Sequence, residues 1–203
     1  MSERSVKAEA LTFELVKDAE IFRSYHFDEG LHAFRPAPRQ YAAVLELLVD
    51  GQTLLSVARK ADLVVGYVIA TPADPRERWG NTPIAPLLRD TSVEVSKSYR
   101  HGGTARRTLG AMVEAGALEP YIAFATCFSW HWDLSETNGD PWRYREMLYN
   151  VFAPYDFVLT PTNEPNLTES PVNMLLVRYG SGVDAEVRET FQALCRDTSR
   201  DPY

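Results

Sequence analysis

A chain of 203 residues with 45% hydrophobic and 24% charged content lies well away from the low-hydrophobicity, high-charge composition of disordered proteins. Its 28 acidic and 21 basic side chains give a net charge of −7, which opposes a sequence-independent grip on nucleic-acid phosphates. The two distant cysteines, Cys127 and Cys195, encode neither a disulfide framework nor a zinc cluster and fit a reducing cytoplasm.

The amino-terminal stretch MSERSVKAEALTFEL carries Glu3 and Glu9 and lacks an apolar core, so no signal peptide is expected. No run approaches the roughly 18 apolar residues of a membrane helix, so no membrane partner is expected. Leu11 to Val16 reads as a strand, and Asp18 as the N-cap of a helix toward Tyr25. Phe34-Arg35-Pro36-Ala37-Pro38 breaks regularity, and Pro38 to Val49 has amphipathic helical spacing that ends at Asp50-Gly51. Leu54 to Arg59 and Leu63 to Thr71 form a hairpin turned at Lys60-Ala61-Asp62. A proline-rich excursion from Pro72 to Pro86 is long enough to be a functional loop or to carry a helical turn near Leu87-Leu88.

Ser92 to Val95 is then a strand, Tyr99 to Gly103 a turn and Thr104 to Ala115 a helix. Tyr121 to Trp130 reads as a strand, and Pro141 to Phe152 as a helix opening on proline. Two more strands, Phe157 to Thr160 and Val172 to Tyr179, precede a closing helix from Val183 to Cys195. The expectation is one α/β domain over residues 1–203. Its core spans about 50–180, with a helical segment over about 18–50 and a C-terminal helix over about 183–197.

The strand, glycine turn and helix over 93–109 place unpaired helical N–H groups beside a strand end, a corner that binds anions. Gly102 and Gly103 can take positive φ and let the backbone curl around a phosphate. From Ser96 to Val113 there is no acidic residue, while Lys97, Arg100, Arg106 and Arg107 are basic. Two glycines capping an ordinary turn would look the same. There is no G-x-x-x-x-G-K of a P-loop, and the dinucleotide fingerprint G-x-G-x-x-G fails because position 105 is alanine.

What does match is Arg100-x-x-Gly103-x-Ala105 following Val93-Glu94-Val95, which resembles the pyrophosphate loop of the GNAT acyltransferases. Further stretches resemble the acetoin-utilization acetyltransferases within that superfamily. They are Phe34-Arg35-Pro36, Val65-Gly66-Tyr67-Val68, Asp74-Pro75 with Glu77-Arg78-Trp79, Trp130-His131-Trp132-Asp133-Leu134, Tyr144-Arg145, Asn163-Glu164-Pro165 and Arg178 with Gly180. The resemblance covers roughly residues 26–183, with Gly102 standing where that pattern often has a basic residue.

The resemblance implies a mixed, mostly antiparallel sheet flanked by helices, with strands splayed around an acyl-CoA site. It implies an N-acetyltransferase using acetyl-CoA as cosubstrate, with no metal. The acceptor implied is a protein lysine, the usual target being the acetyl-CoA synthetase that acetylation switches off. It carries over Arg100, His101, Gly102, Gly103, Thr104 and Ala105 as the pyrophosphate cradle, and Val93 and Val95 as the strand that admits the pantetheine arm. A small-amine acetyltransferase and a non-catalytic, acyl-CoA-responsive regulatory subunit are the alternatives.

The chemistry limits the catalytic residues. A lysine with a pKa of about 10.4 costs about 4.6 kcal/mol to present as neutral amine at pH 7, so a general base is needed. Glu94, facing away from Val93 and Val95, is the first candidate; a solvent-facing or salt-bridged strand carboxylate is the other reading. His131 and Asp133 share a face if their strand persists, either as a base with its orienting carboxylate or as a structural lock. The resemblance implies Tyr144 or Tyr149, on the helix after that strand, as candidates for protonating the thiolate; core residues are the other reading. Cys127 reads as a small core residue, so direct transfer is preferred.

Overall fold

This computed structural model describes residues 10–197; the segment carrying Glu3 and Glu9 lies outside them. Two apolar, β-branched runs make the longest pairing, β3 (Leu54–Lys60) with β4 (Leu63–Pro72), turned at Ala61 with φ 52°. β1 (Thr12–Val16) pairs antiparallel outside β3, and the short β2 (His26–Phe27), not foreseen from sequence, pairs parallel to β4. On the other side of β4 come β5 (Leu88–Val95), β6 (Ile122–Cys127), β8 (Met174–Tyr179) and β7 (Val158–Leu159). The result is an eight-stranded sheet in the order β1-β3-β4-β5-β6-β8-β7 with β2 beside β4. Only β2–β4 and β5–β6 are parallel pairs.

Helices cover both faces. Asp18 caps α1 (Ala19–Phe22) by accepting from Glu20 N, although the helix stops three residues short of Tyr25. α2 (Ala37–Val49) begins at the proline pair, and with α1 it packs a cluster of Phe22, Leu55, Val57, Tyr67 and Ile69. α3 (Thr104–Glu114) and α4 (Pro141–Phe152) lie over Val68, Ala70, Ala125, Cys127 and Leu176 on the opposite face. Residue alternation along β4 and β6 explains the split: Tyr67 and Phe124 point one way, Val68 and Ala125 the other. α5 (Pro165–Thr168) is a single turn capped by Glu164, and α6 (Ala185–Leu194) packs Phe191 against Trp79 and Phe124.

Of the boundaries that differ from the sequence reading, two border the cleft. β5 starts at Leu88 rather than Ser92, because the helical turn sits at Ala85–Leu87 and releases the chain earlier. β6 ends at Cys127 rather than Trp130. Its neighbour β8 begins at Met174, opposite Cys127, and Asn173 Oδ1 takes the N–H of Ser129 at 2.8 Å, so the ladder has no partner to continue on. Ser129–His131 and Leu134–Thr137 are 3₁₀ turns instead.

Candidate active site

β5 and β6 pair only from Leu88–Ile122 to Asp90–Phe124. Beyond Asp90, β5 stays with β4 as far as Val95 opposite Gly66, while β6 stays with β8. The two strands therefore diverge, and the edge of β5 from Thr91 to Val95 is left without a ladder on β6. A cleft of about 440 Å³ occupies the wedge. Its walls include Val93, Glu94, Val95, Arg100, His101 and Ala105, together with Phe34, Cys127, His131, Asp133 and Tyr144.

The cleft has walls on both sheet faces. Val93 packs with the α3 and α4 cluster, whereas Glu94 is bonded to Tyr67 on the α2 side. On the α3 side lies the glycine corner. Gly102 and Gly103 both have φ 74°, and Gly103 is the N-cap of α3. The first turn of α3 holds no acidic residue, so its N–H groups and the positive end of its dipole are available to an anion. Thr104 is buried and donates its hydroxyl to His101 O at 3.1 Å, which ties the turn together. Gly102, Gly103 and Thr104 shape the bend without lining the cleft themselves.

Glu94 is 5% exposed, neither solvent-facing nor salt-bridged. Its Oε1 accepts from Ala33 N at 2.8 Å and its Oε2 from the Tyr67 hydroxyl at 2.6 Å. Gln40 in turn donates to that hydroxyl at 2.7 Å. A carboxylate has about four lone-pair sites, so two neutral donors fix Glu94 in place and leave acceptor capacity toward the cleft.

His131 and Asp133 have separate partners in the structure. His131 ends one 3₁₀ turn and Asp133 is the N-cap of the next, so the strand that would give them a shared face is absent. Asp133 Oδ2 instead accepts from Arg100 Nη1 at 2.8 Å and lies 3.8 Å from Lys97 Nζ. The Ser135 hydrogen bonds, then Arg100, hold its carboxyl well below the usual carboxylate range. His131 Nε2 accepts from the Trp130 indole at 3.1 Å, so that ring nitrogen is already engaged.

Tyr144 lines the cleft, stacked on Trp132 at 5.0 Å, and burial raises its phenol above the ordinary value, so it remains a proton donor. Tyr149 is exposed on the same helix and outside the cleft walls. Burial pushes the Cys127 thiol up to about 12, which disfavours a thiolate. Among the described residues no group of three or more potential ligands could hold a metal ion.

Sequence reasoning named Phe34 within the break at 34–38 and within a stretch of the family resemblance but not as a cleft wall, and it did not single out Asp90. Asp90 is the last β5 residue paired with β6, and burial, then the Glu77 charge, pushes its carboxyl up to about 7.

No model of a known protein family matches the sequence. The acetoin utilization protein AcuA of Bacillus licheniformis is 32% identical over 175 residues, covering 86% of this chain and 83% of that protein. The chain belongs to the acetoin utilization protein AcuA family. The crystal structure of an acetoin utilization protein from Exiguobacterium sibiricum superposes with a TM-score of 0.82 at 27% identity, covering 92% of this chain and 95% of that one. A GNAT-superfamily phosphinothricin acetyltransferase from Sinorhizobium meliloti, in complex with AcCoA, matches with a TM-score of 0.53 at 14% identity over 85% of this chain and 90% of its own. This AcuA-family chain therefore has the GNAT acetyltransferase fold, with the β5–β6 wedge as its central opening.

Proposed function

We propose that this protein transfers the acetyl group of acetyl-CoA to a lysine side chain of a protein, an acyl-CoA synthetase such as acetyl-CoA synthetase, and thereby inactivates it. One observation carries the reading: a single cleft joins the basic glycine corner on one sheet face to the Glu94 carboxylate on the other. A long thiol ester can lie with its diphosphate at Arg100–Ala105 while its acyl end faces an amine arriving from the α2 side. The AcCoA-bound relative of the same fold supports the cosubstrate, and the AcuA relationship together with the resemblance to acetoin-utilization acetyltransferases supports the acceptor.

In this reading the open edge of β5 at Val93–Val95 bonds the pantetheine amides. Glu94 takes one proton from the lysine ammonium, the amine nitrogen bonds to the thioester carbon and gives up a second proton as the carbon–sulfur bond breaks, and Tyr144 protonates the departing sulfur and regains that second proton. The unpaired, buried Cys127 and Cys195 fit a cytoplasmic setting.

Mixing the protein with acetyl-CoA and purified acetyl-CoA synthetase, then mapping acetyl-lysine by mass spectrometry, tests the proposal. Acetyl-lysine on the synthetase with loss of its activity is the expected result. Turnover of a polyamine or amino sugar with an unmodified synthetase would make the protein a small-amine enzyme. A stable complex with the synthetase but no thiol release would make it a regulatory subunit.

A further inference from the structure

Four aromatic rings gather at the α2-side mouth of the cleft, and the transfer chemistry uses none of them. Phe34 and His131 meet edge to face at 6.2 Å. Phe128 stacks on Trp130 at 4.5 Å, with the two rings 9° from parallel. Phe34 and Trp130 are 50% and 53% exposed, a state that apolar rings of this size keep at a cost unless something covers them.

Both sides of this mouth are held in place. Ala33, next to Phe34, donates its N–H to Glu94, and Asp28 at the start of the same segment accepts from the Ser96 hydroxyl at 2.5 Å. Phe34 is thereby latched to the strand that borders the cleft. On the far side the Trp130 indole donates to His131, fixing the second pair of rings.

We propose that Phe34, Phe128, Trp130 and His131 form a portal that receives the cationic side chain of a lysine on the acceptor protein. This rests on the protein-lysine reading above. Ring faces attract an ammonium group and bury its methylene stem, and the carboxylates Glu94 and Glu136 line the same cleft. The chain's net charge of −7 favours a basic acceptor surface. The exposed Arg35, whose charge reaches the Tyr67 hydroxyl, opposes this.

The test is a titration of the full chain, with coenzyme A present, using a decapeptide with one central lysine and a twin carrying norleucine there. The Trp130 indole N–H resonance reports binding by NMR. The lysine peptide is expected to shift that resonance and the norleucine twin to leave it unmoved. Affinity should fall about 10-fold in Phe34→Ala and Phe34→Leu and stay near wild type in Phe34→Tyr, since the π face and not bulk is what matters. Arg35→Gln should tighten binding; weaker binding would indicate an anionic occupant and overturn the portal. Equal binding of the two peptides, an unmoved Trp130 resonance, or wild-type affinity in Phe34→Leu would overturn it too. The two readings fail separately. Acetylation of the synthetase at wild-type KM by Phe34→Leu sinks the portal alone, whereas peptide binding beside an unmodified synthetase sinks the acceptor assignment alone.

Discussion

Arg100 Nη1 donates to Asp133 Oδ2 at 2.8 Å, joining two turns that flank the cleft from opposite strands. Arg100 also donates through Nε to Val95 O at 3.2 Å, so the guanidinium is braced from two sides beside the glycine corner. Asp133→Ala should therefore weaken coenzyme A binding several-fold by freeing Arg100, while leaving the pH profile of turnover unchanged. Calorimetry with coenzyme A and a pH–rate series check this; a lost acid limb in the variant would return the base role to the His131–Asp133 pair.

Glu94→Gln is expected to lower turnover about 100-fold or more with acetyl-CoA affinity little changed. The amide offers one acceptor oxygen where Ala33 N–H and the Tyr67 hydroxyl each use one, so Tyr67 must reverse its hydroxyl to accept. His131→Ala should keep turnover within about threefold, because its Nε2 is already occupied. Steady-state kinetics on both variants separate the two, and the reverse ranking would reassign the base.

Gly103→Glu should abolish coenzyme A binding, since it adds bulk and negative charge at the N-terminus of α3. Gly102→Ala isolates the backbone contribution. Its Cβ meets nothing within 4 Å, so only the φ of 74° is strained, at a cost of about 1 kcal/mol. Thermal unfolding measures that cost, and unchanged stability would mean that the turn relaxes elsewhere.

Asp90 supplies a pH dependence of the opposite sign to most carboxylates. Its folded value of about 7 lies above the roughly 3.9 of an unfolded chain, so between those values the unfolded state binds fewer protons. Stability should fall as pH rises from about 4 through about 7 and remain reduced above it. Asp90→Asn should raise Tm by a few degrees at pH 8, about 2–4 °C for each kcal/mol recovered, and by little at pH 4. A variant less stable than wild type at pH 8 would show that the ionised carboxylate is needed.

Local chemistry wrote much of this protein directly into its sequence. Asp18 and Asp140 cap helices by accepting N–H bonds two or three residues on, proline opens α4, and Gly102-Gly103 adopts the positive φ that its position before α3 demands. Such features depend on neighbours within a turn of chain, so they are legible without a fold. The glycine corner before α3 belongs to this class.

Tertiary structure decided the rest. The end of β6 depends on where β8 begins and on Asn173, which lies 44 residues from Ser129. The partners of Glu94 are Tyr67 and Ala33, 27 and 61 residues away, and Asp133 found Arg100 rather than its near neighbour His131. Phe34 became a cleft wall only because its segment is latched to β5. Pattern within a strand gives the face a side chain takes, but which remote donor occupies that face is set by how the strands and loops assemble. Carboxylate roles follow from those donors, and so they emerge only in the folded chain.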